Sequence, residues 1–181
     1  MITLYLVRHA YAEWTPEENR PLTAQGSEDA YRVANTLCEY PISAIYSSPA
    51  RRARQTITPL SRQLGLPIHI EPDLQERRLG DGEFEDFYKA VAVTWRNPSF
   101  AYPGGESNVV AQARGIAVIQ RLLEKHPGQQ IVLSTHGNLM TLVLQAFDPS
   151  VDFEFWKSLT IPDVYKLNIS QSGKGLMQRL W

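Results

Sequence analysis

The sequence predicts an α/β fold, a three-layer α/β/α sandwich with a mostly parallel central sheet and an antiparallel edge. Short apolar runs alternate along the chain with longer segments in which apolar residues recur every three or four positions. This alternation is typical of parallel strands joined by helices that cover both faces of a sheet. The last two apolar runs are separated only by a glycine-bearing, hairpin-type turn at residues 172–175, which predicts the antiparallel edge.

Length, composition and charge limit the class of protein. A chain of 181 residues is long enough for one substantial core, and we expect one domain over residues 1–181. Its content of 43% hydrophobic and 20% charged residues is ordinary for a globular protein. The net charge of −1 gives no general attraction for nucleic acid or anionic membranes. We therefore expect neither as a partner.

Further features of the chain indicate a cytoplasmic protein. No apolar stretch approaches the roughly 20 residues of a membrane span. Arg8 and His9 interrupt the N-terminal apolar run, and no basic segment precedes it, so we expect no signal peptide. The single cysteine, Cys38, excludes an intramolecular disulfide and is expected to be a small core residue.

The first strand is predicted at residues 1–7, because its apolar residues are nearly continuous. An aperiodic segment at residues 10–21, which contains Pro16, is predicted to be a loop. Thr23 is then expected to cap a helix that ends at Pro41. The apolar residues of this helix recur at helical spacing and comprise Ala30, Val33, Ala34, Leu37 and Cys38.

A second strand is predicted at residues 42–46. Ser48 is expected to be the N-cap, and Pro49 to lie in the first turn, of the helix that follows. Pro59 is expected to kink or shorten this helix. A third strand is predicted at residues 66–70.

The second half of the chain is predicted to continue the alternation. After a charged loop at residues 73–82, helices are expected at residues 83–95, 107–125 and 139–147. The apolar faces of the first two helices comprise Phe84, Phe87, Val91 and Trp95, and Val109, Ala113, Ile116, Ile119 and Leu123. Strands are expected at residues 130–135, 164–169 and 176–181.

Cationic or titratable side chains follow three of the predicted strands: Arg8 and His9 the first, Arg51, Arg52 and Arg54 the second, and His136 the fourth. Cations beside a helix N-terminus oppose its dipole, so local stability does not account for the three arginines, whereas a bound anion does. Ligands of open α/β sheets bind at the carboxyl ends of the strands. Because arginine forks match phosphoryl oxygens, the sequence predicts a phosphate site there.

Six short motifs occur in order along the chain: LVRHA at residues 6–10, PLTAQG at 21–26, SPARRARQT at 48–56, LQE at 74–76, GES at 105–107 and THGN at 135–138. In these motifs the chain resembles the histidine phosphatase superfamily, in the branch that includes cofactor-dependent phosphoglycerate mutases and small phosphatases. The resemblance extends from the first strand to beyond residue 138. It implies the phosphoglycerate mutase-like form of the α/β/α sandwich.

The resemblance also implies roles for five residues. His9 would be the nucleophile that becomes phosphohistidine, and Glu76 would donate a proton to the leaving group. Arg8, Arg52 and His136 would bind the phosphoryl group that is transferred. Three nearby carboxylates remain alternatives for the acid, namely Asp73, Glu83 and Glu106.

The chain departs from the family pattern near these residues. Ala10 stands where the family has glycine, and Thr15 stands where the mutase-like signature has asparagine. Thr15 can still donate a hydroxyl, and we include it with Gly137 among the predicted substrate-binding residues. The loop after Glu76 keeps Gly80-Asp81 but lacks the Trp-Glu-Gly common in small phosphatases. These departures leave the substrate open.

A lid-like insertion is predicted at about residues 77–105. It contains six aromatic residues, namely Phe84, Phe87, Tyr88, Trp95, Phe100 and Tyr102. Two interpretations stay open for them: an aromatic-lined specificity pocket, or packing of the lid helix onto the core. The shortness of the insertion argues against a glycolytic mutase, whose extra segments enclose the substrate.

The resemblance implies a metal-independent phosphatase that hydrolyses a small-molecule phosphate ester through phosphohistidine. No metal or other cofactor is expected, because guanidinium groups supply the positive charge and the four histidines form no HExxH motif. Three alternatives remain: a phosphohistidine-protein phosphatase, a phosphoglycerate mutase-type phosphotransferase, and a non-catalytic phosphate-binding regulatory module. The oligomeric state stays open.

Overall fold

The computed structural model describes residues 2–15, 19–170 and 173–181. Within these ranges one sheet contains six strands, namely β1 (Ile2–Arg8), β2 (Ala44–Ser47), β3 (Ile68–Ile70), β4 (Gln130–Thr135), β5 (Asp163–Ile169) and β6 (Gly175–Arg179). The α-helices of the same ranges are α1 (Ala24–Leu37), α2 (Arg51–Leu64), α3 (Phe87–Arg96), α4 (Asn108–Lys125), α5 (Gly137–Gln145) and α6 (Phe153–Ser158). Three residues on which predictions fell, Met1, Pro16 and Ser172, lie outside the described residues.

The sheet has the order β3-β2-β4-β1-β5-β6. The pairs among the first four strands are parallel, whereas β5 and β6 join antiparallel at one edge. The predicted mostly parallel sheet with an antiparallel edge is therefore confirmed. The register pairs Arg8 with Thr135 and Ser47 with Ser134, so the residues that follow β1, β2 and β4 meet at one edge.

Helices cover both faces of the sheet. Alternate side chains of β1 point to opposite faces: Tyr5 and Val7 belong to the apolar cluster formed with α1 and α2, whereas Leu4 and Leu6 belong to the cluster formed with α4 and α5. Both clusters are buried. This division produces the three predicted layers.

The buried face of α4 differs from the prediction. Of the five residues expected to face inward, Ile119 is buried, Ile116 and Leu123 are partly buried and pack against the core, and Val109 is 50% exposed. The buried stripe instead comprises Asn108, Ala111, Gly115, Val118, Ile119 and Leu122. A Cβ at Gly115 would lie 2.5 Å from Val143 of α5, so α4 approaches α5 through this glycine. Close helix packing through a small residue, rather than the largest apolar stripe, sets the rotation of α4.

Two helix boundaries also differ from the predictions. The helix α1 ends at Leu37, and Cys38 at its C-cap is exposed rather than in the core. The helix α3 starts at Phe87 instead of residue 83, because the Asp86 carboxylate accepts the Lys89 N–H and caps it. Phe84 therefore precedes the helix.

The region around α2 contains further corrections. Ala50, not Ser48, is the N-cap, and Pro49 lies before the helix. The helix continues through Pro59 to Leu64, and its C-cap is Gly65, which has a φ of 66°. The proline therefore does not shorten α2, and a left-handed glycine ends it.

Other elements agree with the predictions or were not predicted. The strands lie within about two residues of their predicted bounds, as boundary assignments usually do. The short helix α6, capped by Asp152, was not predicted, because six residues carry too little periodicity. None of the helices in the described ranges combines the length and apolarity needed to cross a bilayer.

Candidate active site

The His9 ring lies just beyond the end of β1. Its Nδ1 is 2.8 Å from the carbonyl oxygen of Ala10. Because a carbonyl can only accept, Nδ1 carries the hydrogen and Nε2 carries the lone pair. Arg52, which has only donors, donates from Nε to this Nε2 at 3.1 Å. The geometry therefore assigns Nε2 as the basic atom of His9.

His136 follows β4 and is 1% exposed. Its Nδ1 is 3.2 Å from Nη2 of Arg52, so this nitrogen accepts and the hydrogen is on Nε2. That Nε2 donates to the Ser48 hydroxyl at 2.8 Å. The residue predicted as a helix cap thus orients an imidazole. The two histidine rings meet edge to face with centroids 5.1 Å apart.

Both imidazoles are neutral in the unliganded protein. Burial lowers the pKa of His9 to about 3, and the nearby Arg52, Arg8 and Arg20 contribute to this shift. Burial also holds the pKa of His136 well below its ordinary value. Desolvation disfavours the charged form of a histidine. The lone pair on His9 is therefore available at neutral pH.

Arg8 reaches the site from the last position of β1. Its Nη1 donates to the carbonyl oxygens of Leu159 and Thr160, both at 3.2 Å. Its Nε is buried and has no hydrogen-bond partner among the described residues. A Cβ at Gly137 would lie 2.9 Å from that Nε. Gly137 therefore makes room for the Arg8 guanidinium.

The Glu76 carboxyl group is held at the N-terminus of α5, the helix that begins directly after His136. Its Oε1 accepts the N–H groups of Arg77 and Leu139, each at 2.8 Å, and its Oε2 accepts that of Asn138 at 3.0 Å. These three bonds fix the position of the Glu76 carboxyl group. The same bonds attach the loop that contains Glu76 to the strand end that contains His136.

The other three acidic candidates have different environments. Asp73 pairs with Arg121, and both Glu106 oxygens accept from Arg114, at 2.9 and 2.7 Å. Neither of these carboxylates nor the exposed Glu83 is among the described residues that line the cavity. Of the four candidates, Glu76 is the one that the structure places beside Arg52 and His136.

A cavity of about 590 Å³ opens at this edge of the sheet. The described residues that line it are Asn19, Arg20, Pro49, Ala50, Arg52, Gln75, Glu76, Arg77, Arg78 and His136. Of the predicted site residues, this lining contains Arg52, Glu76 and His136 but not His9, Gly137 or the half-buried Thr15, and Arg8 lines a second cavity of about 500 Å³. The described ranges hold no group of three or more His, Cys, Asp or Glu side chains arranged for a metal ion.

The supporting contacts come from residues with no predicted role. The Thr56 hydroxyl accepts the Ala10 N–H at 2.9 Å and donates to the carbonyl of Arg52 at 2.7 Å. The Gln55 side chain accepts the Leu22 N–H at 2.9 Å. Gln55 and Thr56 belong to the third sequence motif, so their positions in that motif were the available signal. Together they hold the loop after His9 against α2.

Arg114 of α4 likewise holds a loop of the site in place, in this case the loop that leads to Glu76. Beyond its paired contact with Glu106, its Nη1 donates to the carbonyls of Asp73 and Gln75 at 2.5 and 3.1 Å. It therefore holds the loop that leads to Glu76. Nothing in the sequence singled out Arg114, because its partners lie about 40 residues away along the chain.

Two neutral imidazoles and two guanidiniums lie at the carboxyl edge of a mostly parallel α/β sheet, an arrangement that can bind an anion. The sequence model of the histidine phosphatase superfamily (branch 1) matches residues 4–178. The chain belongs to this family. The resemblance and the phosphoglycerate mutase-like fold predicted from the six motifs are thereby confirmed.

Relatives of known name agree with this membership. Phosphoglycerate mutase-like protein 4 of Arabidopsis thaliana is 31% identical over 165 residues, which cover 81% of this chain and 71% of that protein. The probable phosphoglycerate mutase GpmB of Escherichia fergusonii is 30% identical over 151 residues, or 76% of this chain and 70% of that protein.

Solved structures share the fold. YhfR of Bacillus stearothermophilus superposes with a TM-score of 0.81 at 26% identity and covers 99% of this chain and 96% of its own. A mycobacterial glucosyl-3-phosphoglycerate phosphatase superposes with a TM-score of 0.80 at 21% identity, covering 98% and 97% of the two chains. At that identity the second likeness concerns the fold alone.

Proposed function

We propose that this protein hydrolyses phosphate monoesters through a phosphohistidine formed on Nε2 of His9. The observation that carries the proposal is the 2.8 Å contact between Nδ1 of His9 and the Ala10 carbonyl, because it leaves the lone pair on Nε2. Membership of a family with phosphatase and mutase relatives supports the same chemistry.

In the first step, the Nε2 lone pair of His9 attacks phosphorus, and the bond from phosphorus to the ester oxygen breaks. The leaving oxygen takes a proton from Glu76, which becomes a carboxylate. Arg8, Arg52 and His136 surround the phosphoryl oxygens, whose charge is the main requirement of the transition state. Arg52 must turn its Nε from His9 to the phosphate before the attack.

In the second step, water attacks the phosphorus of phosphohistidine. The Glu76 carboxylate takes the proton of this water, and the bond from phosphorus to Nε2 breaks, which returns the electron pair to His9. Among the described residues, one N–H donates to Oε2 of Glu76, which leaves a lone pair for this proton. Inorganic phosphate is released, and the acid is protonated for the next cycle.

The proposal includes no metal ion and no cofactor. Guanidinium groups of Arg8 and Arg52 supply the positive charge that a metal supplies in other phosphatases. The proposed substrate is a small-molecule phosphate ester. We further propose that the protein is a single domain, in which residues 77–105 act as a short cover over the site, and that it is cytoplasmic.

A second candidate is phosphoglycerate mutase-type phosphotransfer, favoured by the names of the Arabidopsis and Escherichia relatives. It would use the same phosphohistidine but deliver the phosphoryl group to an alcohol instead of water. The position of Glu76 in the cavity favours an ester substrate over a phosphohistidine protein. It also favours catalysis over a purely binding module.

The test uses p-nitrophenyl phosphate with the wild-type protein and His9→Ala, each with and without excess EDTA. We expect EDTA-resistant hydrolysis by wild type, and acid-labile phosphate on His9 after rapid quenching. His9→Ala should lose both, whereas the exposed His69→Ala, a matched control outside the site, should lose neither. Activity that needs a metal, or that survives in His9→Ala, would contradict the proposal.

A further inference from the structure

The side chain of Trp95 links helix α3 to the N-terminus of helix α5. Its indole Nε1 donates to Oδ1 of Asn138 at 3.1 Å. Trp95 is the next-to-last residue of α3, in the segment proposed to cover the site, and Asn138 is the second residue of α5. Neither is among the described residues that line the cavity. The contact therefore joins the cover to the turn after His136 without reaching the cavity itself.

The Asn138 amide depends on this contact for its orientation. Asn138 is 4% exposed, and an indole N–H can only donate, so the oxygen of the amide must face Trp95. The opposite end, Nδ2, is buried and has no hydrogen-bond partner among the described residues. Trp95 is thus the one described partner of a buried amide side chain, a group that normally requires one.

The backbone of Asn138 holds the oxygen of Glu76 that the proposed mechanism uses. The Asn138 N–H donates to Oε2 at 3.0 Å, whereas the N–H groups of Arg77 and Leu139 both donate to Oε1. The Arg77 side chain adds no anchor, because its buried Nε and Nη1 have no partner in the part of the chain that the structure describes. The direction of Oε2 therefore depends on Asn138.

Packing alone does not fix the Trp95 ring. The ring is half-buried and packs against the core on one side. It also borders an internal cavity of about 50 Å³, whose lining includes Gln112 of α4 and Leu142 of α5. Atoms that line a void lack contacts on that side. The hydrogen bond to Asn138 is therefore needed to hold the ring in its place.

We propose that Trp95 is a positioning residue for the proton transfers of Glu76. It holds the Asn138 side chain, which fixes the backbone N–H that directs Oε2 toward the leaving oxygen. Without the indole N–H, the buried Oδ1 of Asn138 loses its donor, and the turn that carries the N–H loses a restraint. The inference rests on the proposed function, and it assigns helix α3 a part in proton transfer as well as in covering the site.

Trp95→Phe keeps the ring and removes the N–H. We expect kcat/KM for ethyl phosphate to fall about tenfold to a hundredfold, the loss that a misplacement of up to about 1 Å produces. By contrast, kcat/KM for p-nitrophenyl phosphate should change little, because nitrophenolate leaves with little protonation. A merely structural role for Trp95 would reduce the active fraction of the protein and lower both values equally.

The second chemical step provides another signature. Because Glu76 also takes the proton of the attacking water, phosphohistidine should be hydrolysed more slowly in Trp95→Phe. The fraction of enzyme that carries acid-labile phosphate during turnover of p-nitrophenyl phosphate should then be larger than in wild type. Loss of folded protein would make this fraction smaller.

Two control variants separate this role from stability. Trp181→Phe removes a half-buried indole N–H outside the site, where the ring packs against Arg32, and should leave both kcat/KM values unchanged. Val91→Ala removes buried apolar volume from α3 itself. It should lower Tm but keep the wild-type ratio of the two kcat/KM values.

A double-variant cycle tests whether Trp95 acts through Asn138. Asn138→Leu should reproduce the losses of Trp95→Phe, and the double variant should lose no more than Asn138→Leu alone, since contacting residues that act in series are not additive. If Trp95→Phe fails to fold, Asn138→Leu carries the comparison of the two esters.

Hydrogen exchange tests the contact without catalysis. The indole N–H of Trp95, assigned in ¹⁵N spectra by its absence in Trp95→Phe, should exchange with solvent more slowly in wild type than in Asn138→Leu. Equal exchange rates, equal losses on the two esters, or additive losses in the double variant would overturn the inference. In each of these cases the wild-type enzyme still forms phosphohistidine, whereas absence of phosphohistidine and of all hydrolysis would contradict the proposed function as well.

Discussion

Arg52 covers the lone pair of His9. Its Nε donates to Nε2 of His9 at 3.1 Å, while its Nη2 donates to Nδ1 of His136 at 3.2 Å. One guanidinium thus occupies the basic nitrogen of both imidazoles in the unliganded protein. Because a phosphoryl group is a stronger acceptor than a neutral imidazole, its binding would draw Arg52 away from His9. Nε2 of His9 would then be exposed for attack on phosphorus.

Replacement of Arg52 by methionine should lower catalysis while it raises the chemical reactivity of His9. We expect kcat/KM for p-nitrophenyl phosphate to fall about 10²- to 10³-fold, the usual loss for one transition-state donor. Diethylpyrocarbonate should nevertheless modify His9 faster than in wild type, because Nε2 is uncovered. Mass spectrometry locates the modification, and Arg51→Met is the control. Equal modification rates in Arg52→Met and wild type would show that Arg52 does not cover His9.

The buried imidazoles should make stability depend on pH. The pKa of His9 is about 3 in the folded protein against an ordinary value of 6.5, so the unfolded state binds more protons between these values. The contribution of each such histidine to the free energy of unfolding is therefore fully present above about pH 6.5. It falls as the pH decreases toward 3, by up to about 1.4 kcal/mol per pH unit. The pKa of His136 is lowered for the same reason.

Urea unfolding at pH 7 and pH 5 measures this effect. The difference in free energy of unfolding should be smaller in His9→Asn and in His136→Asn than in wild type. The exposed His69→Asn should keep the wild-type difference. Saturating inorganic phosphate should reduce the difference in wild type, because a bound anion favours the protonated imidazoles. A wild-type difference that neither active-site variant alters would contradict the prediction.

Glu76→Gln should distinguish poor leaving groups from good ones. Loss of a general acid costs about 10² to 10⁴ in rate, and we expect a loss of this size on alkyl phosphates. The loss on p-nitrophenyl phosphate should be much smaller, because nitrophenolate leaves with little protonation. Glu83→Gln, an exposed change outside the cavity lining, is the matched control. Equal losses on both substrate types would mean that Glu76 only holds the N-terminus of α5.

The antiparallel edge should support catalysis through Arg8. Asp163 is fully buried, and its two oxygens accept from Nε and Nη2 of Arg179, each at 2.9 Å. Asp163 also accepts the Thr160 N–H at 2.9 Å, which fixes the turn whose carbonyls hold Arg8. Arg179 is a positioning residue, because it acts on Arg8 through Asp163, which pairs with Arg8 in the sheet and fixes this turn.

Arg179→Met leaves Asp163 without its cation. Because Arg179 is partly exposed, we expect a loss of about 2 kcal/mol of stability, less than for a fully buried pair. KM for phosphate esters should rise more than kcat falls, since Arg8 loses its fixed place. Arg179→Lys should restore part of the affinity, and the exposed Gln178→Met on the same strand should change neither quantity. An unchanged KM in a folded Arg179→Met protein would remove the link to Arg8.

Arg77→Met should raise the thermal stability of the protein. Exchange of a buried, unpaired charge for an apolar side chain of similar length removes a desolvation cost and should add about 1 kcal/mol. Thermal unfolding without ligand measures the change, with Arg51→Met as control. A marked decrease of Tm in Arg77→Met alone would assign Arg77 a structural role.

The local elements were largely predictable. Near-continuous apolar runs marked β1 and β4, because a strand covered on both faces needs apolar residues at every position. The order of six motifs was enough to name His9, Arg52, Glu76 and His136. A strand that is covered by helices on both faces must be apolar along its whole length, and this requirement is visible in the sequence of the strand itself.

Contacts between distant segments were not predictable in the same way. The rotation of α4 depends on Gly115 meeting Val143 across a helix interface, which outweighs the larger apolar stripe. Ser48 has the residue type and the position of a helix cap, yet its hydroxyl oxygen accepts a hydrogen bond from Nε2 of His136, 88 residues away. A side chain gives up its locally preferred role, here helix capping, when a buried polar partner would otherwise lack a hydrogen bond.

The sequence by itself determined the order of the strands and helices along the chain, because their apolar periodicity is local. It also determined the residues proposed for phosphate chemistry, because they lie in short motifs. Only the tertiary structure decided which nitrogen of His9 carries its lone pair and which of four carboxylates faces the cavity. It also decided that Nε and Nη1 of Arg77 are buried without a hydrogen-bond partner among the described residues. Each of these depends on atoms brought together by the closing of the sheet. Hydrogen bonding and burial are properties of that assembled environment, and the single residue does not contain them.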